Sequence, residues 1–134
     1  MASILVDSNV ILDILTLNPV WHEWSDEALR QAANSGRVII NAIVFAEVSV
    51  RFSRIEDANA ALDFALERED IPFEAAFLAG KIFRAYRQHG GTRASLLPDF
   101  LIGAHAAVRG YDLLTRDVAR YRTYFPKLTL IAPD

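Results

Sequence analysis

The sequence predicts an α/β fold, a three-layer α/β/α sandwich around a central parallel sheet of 4–5 strands. Three observations predict it. Short apolar runs rich in β-branched residues, such as Ile4-Leu5-Val6 and Val38-Ile39-Ile40, read as strands buried on both faces. Segments with helical apolar spacing separate them. Each main run ends on polar residues that lead into the next helix: Asp7-Ser8-Asn9, Asn41 and Thr115-Arg116-Asp117.

The first strand leads into a helix from Asn9 to Leu17, where Val10, Ile11, Ile14 and Leu17 share a face and Asn18-Pro19 ends the run. A second helix is expected over Trp21–Ser35, with Ser25 as an N-cap ahead of Asp26 and Glu27 and Gly36 as its stop. Arg37–Ile40 is the second strand, and a helix containing Glu47 runs on to Phe52. Ile55–Glu69 reads as one helix and Ile71-Pro72-Phe73 as a short extended piece. Glu74 opens a helix to about His89, closed by Gly90-Gly91. Thr92–Leu97 reads as a loop, after which Pro98 starts a helix with Asp99 in its first turn and Gly110 at its end. Asp112–Thr115 is a strand, followed by a short helix to Phe125 and an edge strand over Leu128–Ile131.

A single domain over residues 1–134 fits the length, and 52% hydrophobic with 23% charged residues excludes a disordered chain. Absence of cysteine excludes disulfides and thiolate metal sites and fits a reducing, cytoplasmic setting. Asp7 and Asp13 interrupt the apolar N-terminus, so neither a signal peptide nor a membrane span is expected. A net charge of −3 argues against a general nucleic-acid binder but not against an enzyme whose acids hold metal ions. Scattered His22, His89 and His105 make no zinc pattern, and phosphate-binding glycine loops and serine or cysteine nucleophile motifs are absent.

Four acids stand at element ends or inside apolar stretches: Asp7, Glu47, Asp99 and Asp117. In a parallel sheet Asp7 and Asp117 fall at carboxyl ends of strands, where α/β folds bind ligands, and helices bring Glu47 and Asp99 to the same edge. Four carboxylates together require a cation, and a hard divalent ion, Mg²⁺ or Mn²⁺, suits oxygen ligands. Such a site can activate water for in-line attack on a phosphodiester. Ser8, Asn9 and Thr115 offer neutral groups to orient the acids. Simpler roles stay open for each acid singly. Asp7 and Asp117 could cap helices, Asp99 could complement a helix dipole, and Glu47 could pair with an arginine.

Ile4-Leu5-Val6-Asp7-Ser8-Asn9-Val10, Phe45-Ala46-Glu47-Val48, Pro98-Asp99-Phe100-Leu101-Ile102-Gly103-Ala104 and Leu113-Leu114-Thr115-Arg116-Asp117 together resemble the PIN-domain ribonucleases, specifically the VapC toxins of toxin–antitoxin pairs. The resemblance covers almost the whole chain. It implies a PIN-like sheet, a metal-dependent endoribonuclease and an acidic pocket of Asp7, Glu47, Asp99 and Asp117, the last matching the family's more variable acid. Thr115 matches a residue often beside the metal. The resemblance further implies a homodimer, a heterotetramer or larger assembly with a VapB-like antitoxin, and an RNA substrate of the tRNA or rRNA class. His105 departs from the family pattern, and six positions after Asp99 on a helix it faces away from the pocket.

Lys81, Arg84 and Arg87 share a helix face and, with Arg93, could guide RNA phosphates or be an ordinary solvated surface. Arg116 could contact substrate or neutralise an acid, whereas Arg120 and Arg122 read as solvated. Trp21, Trp24 and Phe45 read as core packing or as an exposed groove for a partner helix. The rival functions are a PIN nuclease of RNA processing outside any toxin pair, a non-catalytic interaction domain, and phosphotransfer through Asp7. Asn9 in place of a second aspartate weakens the last.

Overall fold

The computed structural model describes residues 2–93 and 96–134. Five strands form one sheet: β1 (Ala2–Val6), β2 (Gly36–Ile40), β3 (Leu66–Arg68), β4 (Asp112–Leu114) and β5 (Leu130–Ile131). Their spatial order is β3-β2-β1-β4-β5 and every neighbouring pair is parallel. Seven helices connect them among the described residues: α1 (Ser8–Leu15), α2 (His22–Ser35), α3 (Ala42–Ser49), α4 (Ile55–Ala61), α5 (Phe73–Gln88), α6 (Leu97–Arg109) and α7 (Val118–Tyr124).

The chain steps outward from β1 to β3, then crosses back to β4 on the other side of β1. Right-handed crossovers therefore place the first helices on one face of the sheet and α5, α6 and α7 on the other. The expected α/β/α sandwich is what forms. Direction reverses between β1 and β4, and the cleft beyond their carboxyl ends is the place where such sheets bind ligands. Val6 pairs with Leu114 there, so Asp7 and Thr115 leave the sheet side by side.

The apolar runs are strands because both faces of the sheet are covered. Leu5, Val6, Ile39, Leu113 and Leu114 are buried, as are Phe100, Ile102 and Tyr121 from the covering helices. Gly36 is required by close approach: a Cβ there would run into the carbonyl oxygen of Ala2 on β1. Gly103 likewise leaves room on α6 for the ring of Phe125.

Three local expectations need correction. The helix expected over Ile55–Glu69 ends at Ala61, and Leu66–Arg68 forms edge strand β3 beside Val38–Ile40. Only Leu66 of that strand is even half-buried, so it has no apolar run to announce it. The extended piece expected over Ile71-Pro72-Phe73 stops one residue early: Pro72 is extended at the N-cap of α5, and Phe73 rather than Glu74 opens that helix. Ser25 does not cap α2, which begins at His22; it is buried inside the helix and donates to Asp13 Oδ2 at 2.7 Å. Part of the expected Thr92–Leu97 loop lies outside the described residues. Among the described residues no helix is long and apolar enough to cross a membrane.

Candidate active site

Asp7 ends β1 and is 4% exposed. Its side chain does not cap α1. Instead Oδ2 accepts the Thr115 hydroxyl at 2.8 Å and the Tyr121 hydroxyl at 3.0 Å. Burial pushes its carboxyl up; the Thr115 and Tyr121 bonds pull it back only in part, and the charge of Glu47 adds to the rise. Burial and the Asp7 charge together hold the Tyr121 hydroxyl well above its usual range, so it stays a donor.

Thr115 is fully buried at the end of β4 and organises the turn. Besides donating to Asp7, its Oγ1 accepts the Asp117 amide at 3.0 Å and Asn9 Nδ2 at 3.3 Å. Glu47 projects from α3 and accepts the Ser8 hydroxyl at 2.8 Å. Among the described residues no arginine pairs with it, so the ion pair that would have made Glu47 ordinary is not formed.

Asp99 lies in the first turn of α6 with a 14% exposed side chain. Its carboxyl is pushed up to about 6, first by burial and then by the charges of Asp7, Glu47 and Asp117, against the pull of Arg120. The charges of Asp7, Glu47 and Asp117 thus all reach Asp99, although the four acids come from four different elements. Asp117 does not cap α7. Arg120 Nη1 sits between the two outer acids, 2.9 Å from Asp99 Oδ2 and 3.3 Å from Asp117 Oδ2. Arg120, which the sequence reads as solvated, instead pairs with both acids.

Arg116 turns the other way. Its Nε and Nη2 bind both oxygens of buried Asp13 at 2.7 and 2.9 Å, and its guanidinium lies 5.6 Å from the Trp21 ring centroid. That fork clamps the Thr115–Asp117 turn onto α1. Lys81, Arg84, Arg87 and Arg93 are exposed. Lys81 and Arg87 lie over the Phe77 and Phe83 rings at 5.0 and 6.0 Å. Trp24 and Phe45 pack against the core, and Trp21 meets Trp24 edge to face.

Arg120, Tyr121 and Asp13 are the participants that the sequence did not reveal. Tyr121 carried a faint signal, an aromatic among the arginines of a short helix. All-oxygen acids that repel one another suit a hard divalent cation. Among the described residues, however, no three acids or histidines close into a preformed metal-ligand group.

Residues 4–126 match the PIN domain family. No curated protein sequence matches. Among solved structures, VapBC2 from Rickettsia felis bound to a promoter DNA fragment shares 22% identity, with TM-score 0.74, over 98% of this chain and 99% of that one. DNA-bound VapBC from Salmonella typhimurium shares 21%, with TM-score 0.71, over 98% of each chain. VapC20 from Mycobacterium tuberculosis, a Sarcin-Ricin loop cleaving toxin, shares 18%, with TM-score 0.56, over 82% of this chain and 86% of that one. These likenesses carry the fold, and with the family match they establish that the chain belongs to the PIN domain family.

Proposed function

We propose that this protein is a divalent-metal-dependent endoribonuclease, the toxin member of a VapBC-type toxin–antitoxin pair. The observation that carries the reading is the gathering of four acids from four elements at the sheet's switch point, where burial first and then the charges of Asp7, Glu47 and Asp117 hold Asp99 up at about 6. A protein keeps such a cluster at a cost in stability when function requires it.

Asp7, Glu47, Asp99 and Asp117 would hold the cation, with Arg120 yielding its place between the outer two. A bound Mg²⁺ or Mn²⁺ would supply Lewis acidity and an activated water for phosphodiester hydrolysis. The protein's own part is to position. Thr115 and Tyr121 both bind Asp7 Oδ2, which fixes that carboxylate's rotamer. Ser8 orients Glu47, and Asn9 ties α1 to the Thr115 turn. Arg84, Arg87 and Arg93 supply exposed positive charge for RNA phosphates. Arg116 is committed to Asp13 and serves by holding the turn that carries Asp117. The antitoxin partner is supported by structural neighbours that are toxin–antitoxin complexes, one of them from Klebsiella pneumoniae. An RNA of the tRNA or rRNA class, a homodimeric toxin and a cytoplasmic setting belong to the same reading.

A non-catalytic interaction domain is favoured by one observation, that Arg120 already neutralises part of the cluster. Cleavage of purified tRNA and rRNA by partner-free protein, with Mg²⁺, Mn²⁺ or EDTA, decides. Discrete metal-dependent cuts support the nuclease; intact RNA from folded protein that also binds no metal supports the interaction domain.

A further inference from the structure

His105 is fully buried on α6, one helix face away from Asp99. Both ring nitrogens are used: Nδ1 lies 3.0 Å from Asn41 Nδ2, and Nε2 lies 2.6 Å from Glu69 Oε2. Asn41 ends β2 and caps α3, its Oδ1 accepting the amides of Ile43 and Val44 at 3.0 Å each. Backbone amides only donate, so the atom facing them is the oxygen and the atom facing His105 is the NH₂. That group only donates toward the ring, so Nδ1 must accept and Nε2 must carry the proton toward Glu69. A second proton on Nδ1 would set donor against donor.

Glu69 completes the chain. Partial burial opposes its ionisation, but the bonds from His105 and Tyr111 outweigh that and hold its carboxyl below the usual range. Its other oxygen accepts Tyr111 OH at 2.8 Å, and its amide bonds Ile40 O at the end of β2. The chain Tyr111–Glu69–His105–Asn41 therefore ends on the N-terminus of the helix that carries Glu47. It passes through His105 on the helix that carries Asp99, and none of its members bonds to Asp7, Glu47, Asp99 or Asp117.

We propose that His105, held as the neutral Nε2–H tautomer between Asn41 and Glu69, is the positioning residue that sets the Glu47 helix against the Asp99 helix. The proposal rests on the metal-site reading above for its consequence, though not for its geometry. The side chains of asparagine and glutamine separate the two bonds. His105→Asn places an acceptor where Nδ1 stands and loses Glu69; His105→Gln places a donor where Nε2 stands and loses Asn41. Only the first keeps the link to α3.

Three measurements on the full chain test this. Long-range ¹H–¹⁵N NMR should show His105 protonated at Nε2 alone; an Nδ1–H or doubly protonated ring overturns the proposal. Residual dipolar couplings of the metal-free proteins should show α3 rotated relative to α6 in His105→Gln and unmoved in His105→Asn; unmoved helices in His105→Gln overturn it. Calorimetric Mn²⁺ titration of folded variants should give a loss of about tenfold or more in affinity for His105→Gln and within about threefold of wild type for His105→Asn. Losses that are equal, or that follow thermal stability alone, overturn it. Wild type that binds no Mn²⁺ while the helices still shift in His105→Gln refutes the metal reading and leaves the positioning role supported.

Discussion

Asp99→Asn should stabilise the metal-free protein at neutral pH. The side chain is 14% exposed and its carboxyl is held at about 6 rather than 3.8. A raised acid makes the folded state bind more protons than the unfolded chain between those two values. Its contribution therefore favours folding below about pH 4 and is lost as pH rises to about 6, leaving a full penalty above. The displacement corresponds to about 3 kcal/mol, and screening at the open side of the cleft reduces this to about 1–2 kcal/mol. Asparagine keeps an oxygen acceptor for Arg120 while removing the charge that meets Asp7, Glu47 and Asp117. In EDTA at pH 7.5 the variant should melt about 3–8 °C above wild type. The two proteins should converge near pH 4, because the wild-type side chain is then largely neutral. Urea unfolding across pH 4–8 reads both. Equal pH slopes, or a variant less stable than wild type at pH 7.5, would mean that Asp99 carries no such penalty in the folded protein.

Three further outcomes follow from the same geometry. Tyr121→Phe removes one of two hydroxyl donors from buried Asp7 and should cost about 1–2 kcal/mol in urea unfolding, with the largest loss at high pH, where Asp7 is ionised. Gly103→Ala drives a methyl group into the Phe125 ring and should cost about 1–3 kcal/mol; an unchanged urea midpoint would contradict the packing described between α6 and Phe125. Arg84→Ala with Arg87→Ala should weaken RNA binding and flatten the log–log salt dependence by about 1–2, read by fluorescence anisotropy from low to moderate salt. An unchanged slope would make that face ordinary solvated surface.

The sheet was legible where burial on both faces forced a continuous apolar run, as in Ile4–Val6 and Val38–Ile40. Strand β3 was not, because Leu66-Glu67-Arg68 lies at an edge and pairs through its backbone while its side chains face water. The acids were legible for a related reason. A carboxylate among Ala, Val and Phe, or at the end of a buried strand, contradicts its surroundings and so calls for a partner. What the acids are bonded to was not legible. Arg120 and Tyr121 stand on successive positions of α7, and nothing local says that one reaches Asp99 and the other Asp7. That follows only when α7 is laid across the sheet. The Asp13–Arg116 fork joins residues 103 apart in sequence, and the buried Ser25 that completes it has the local pattern of a helix cap, with acids directly after it. His105 faces away from Asp99, as its helical spacing predicts, but its link to Asn41 is visible only with the two helices side by side.

If the proposed function holds, Asp7 and Asp99 are kept for chemistry at the expense of stability. The most direct test pairs two readings on wild type, Asp7→Asn and Asp99→Asn: single-turnover cleavage of one RNA in Mg²⁺, and thermal melting in EDTA. Both variants should melt no lower than wild type yet cleave at least about 100-fold more slowly. Variants that lose stability and activity together would mean that the acids hold the fold, and variants that cleave normally would place the chemistry elsewhere.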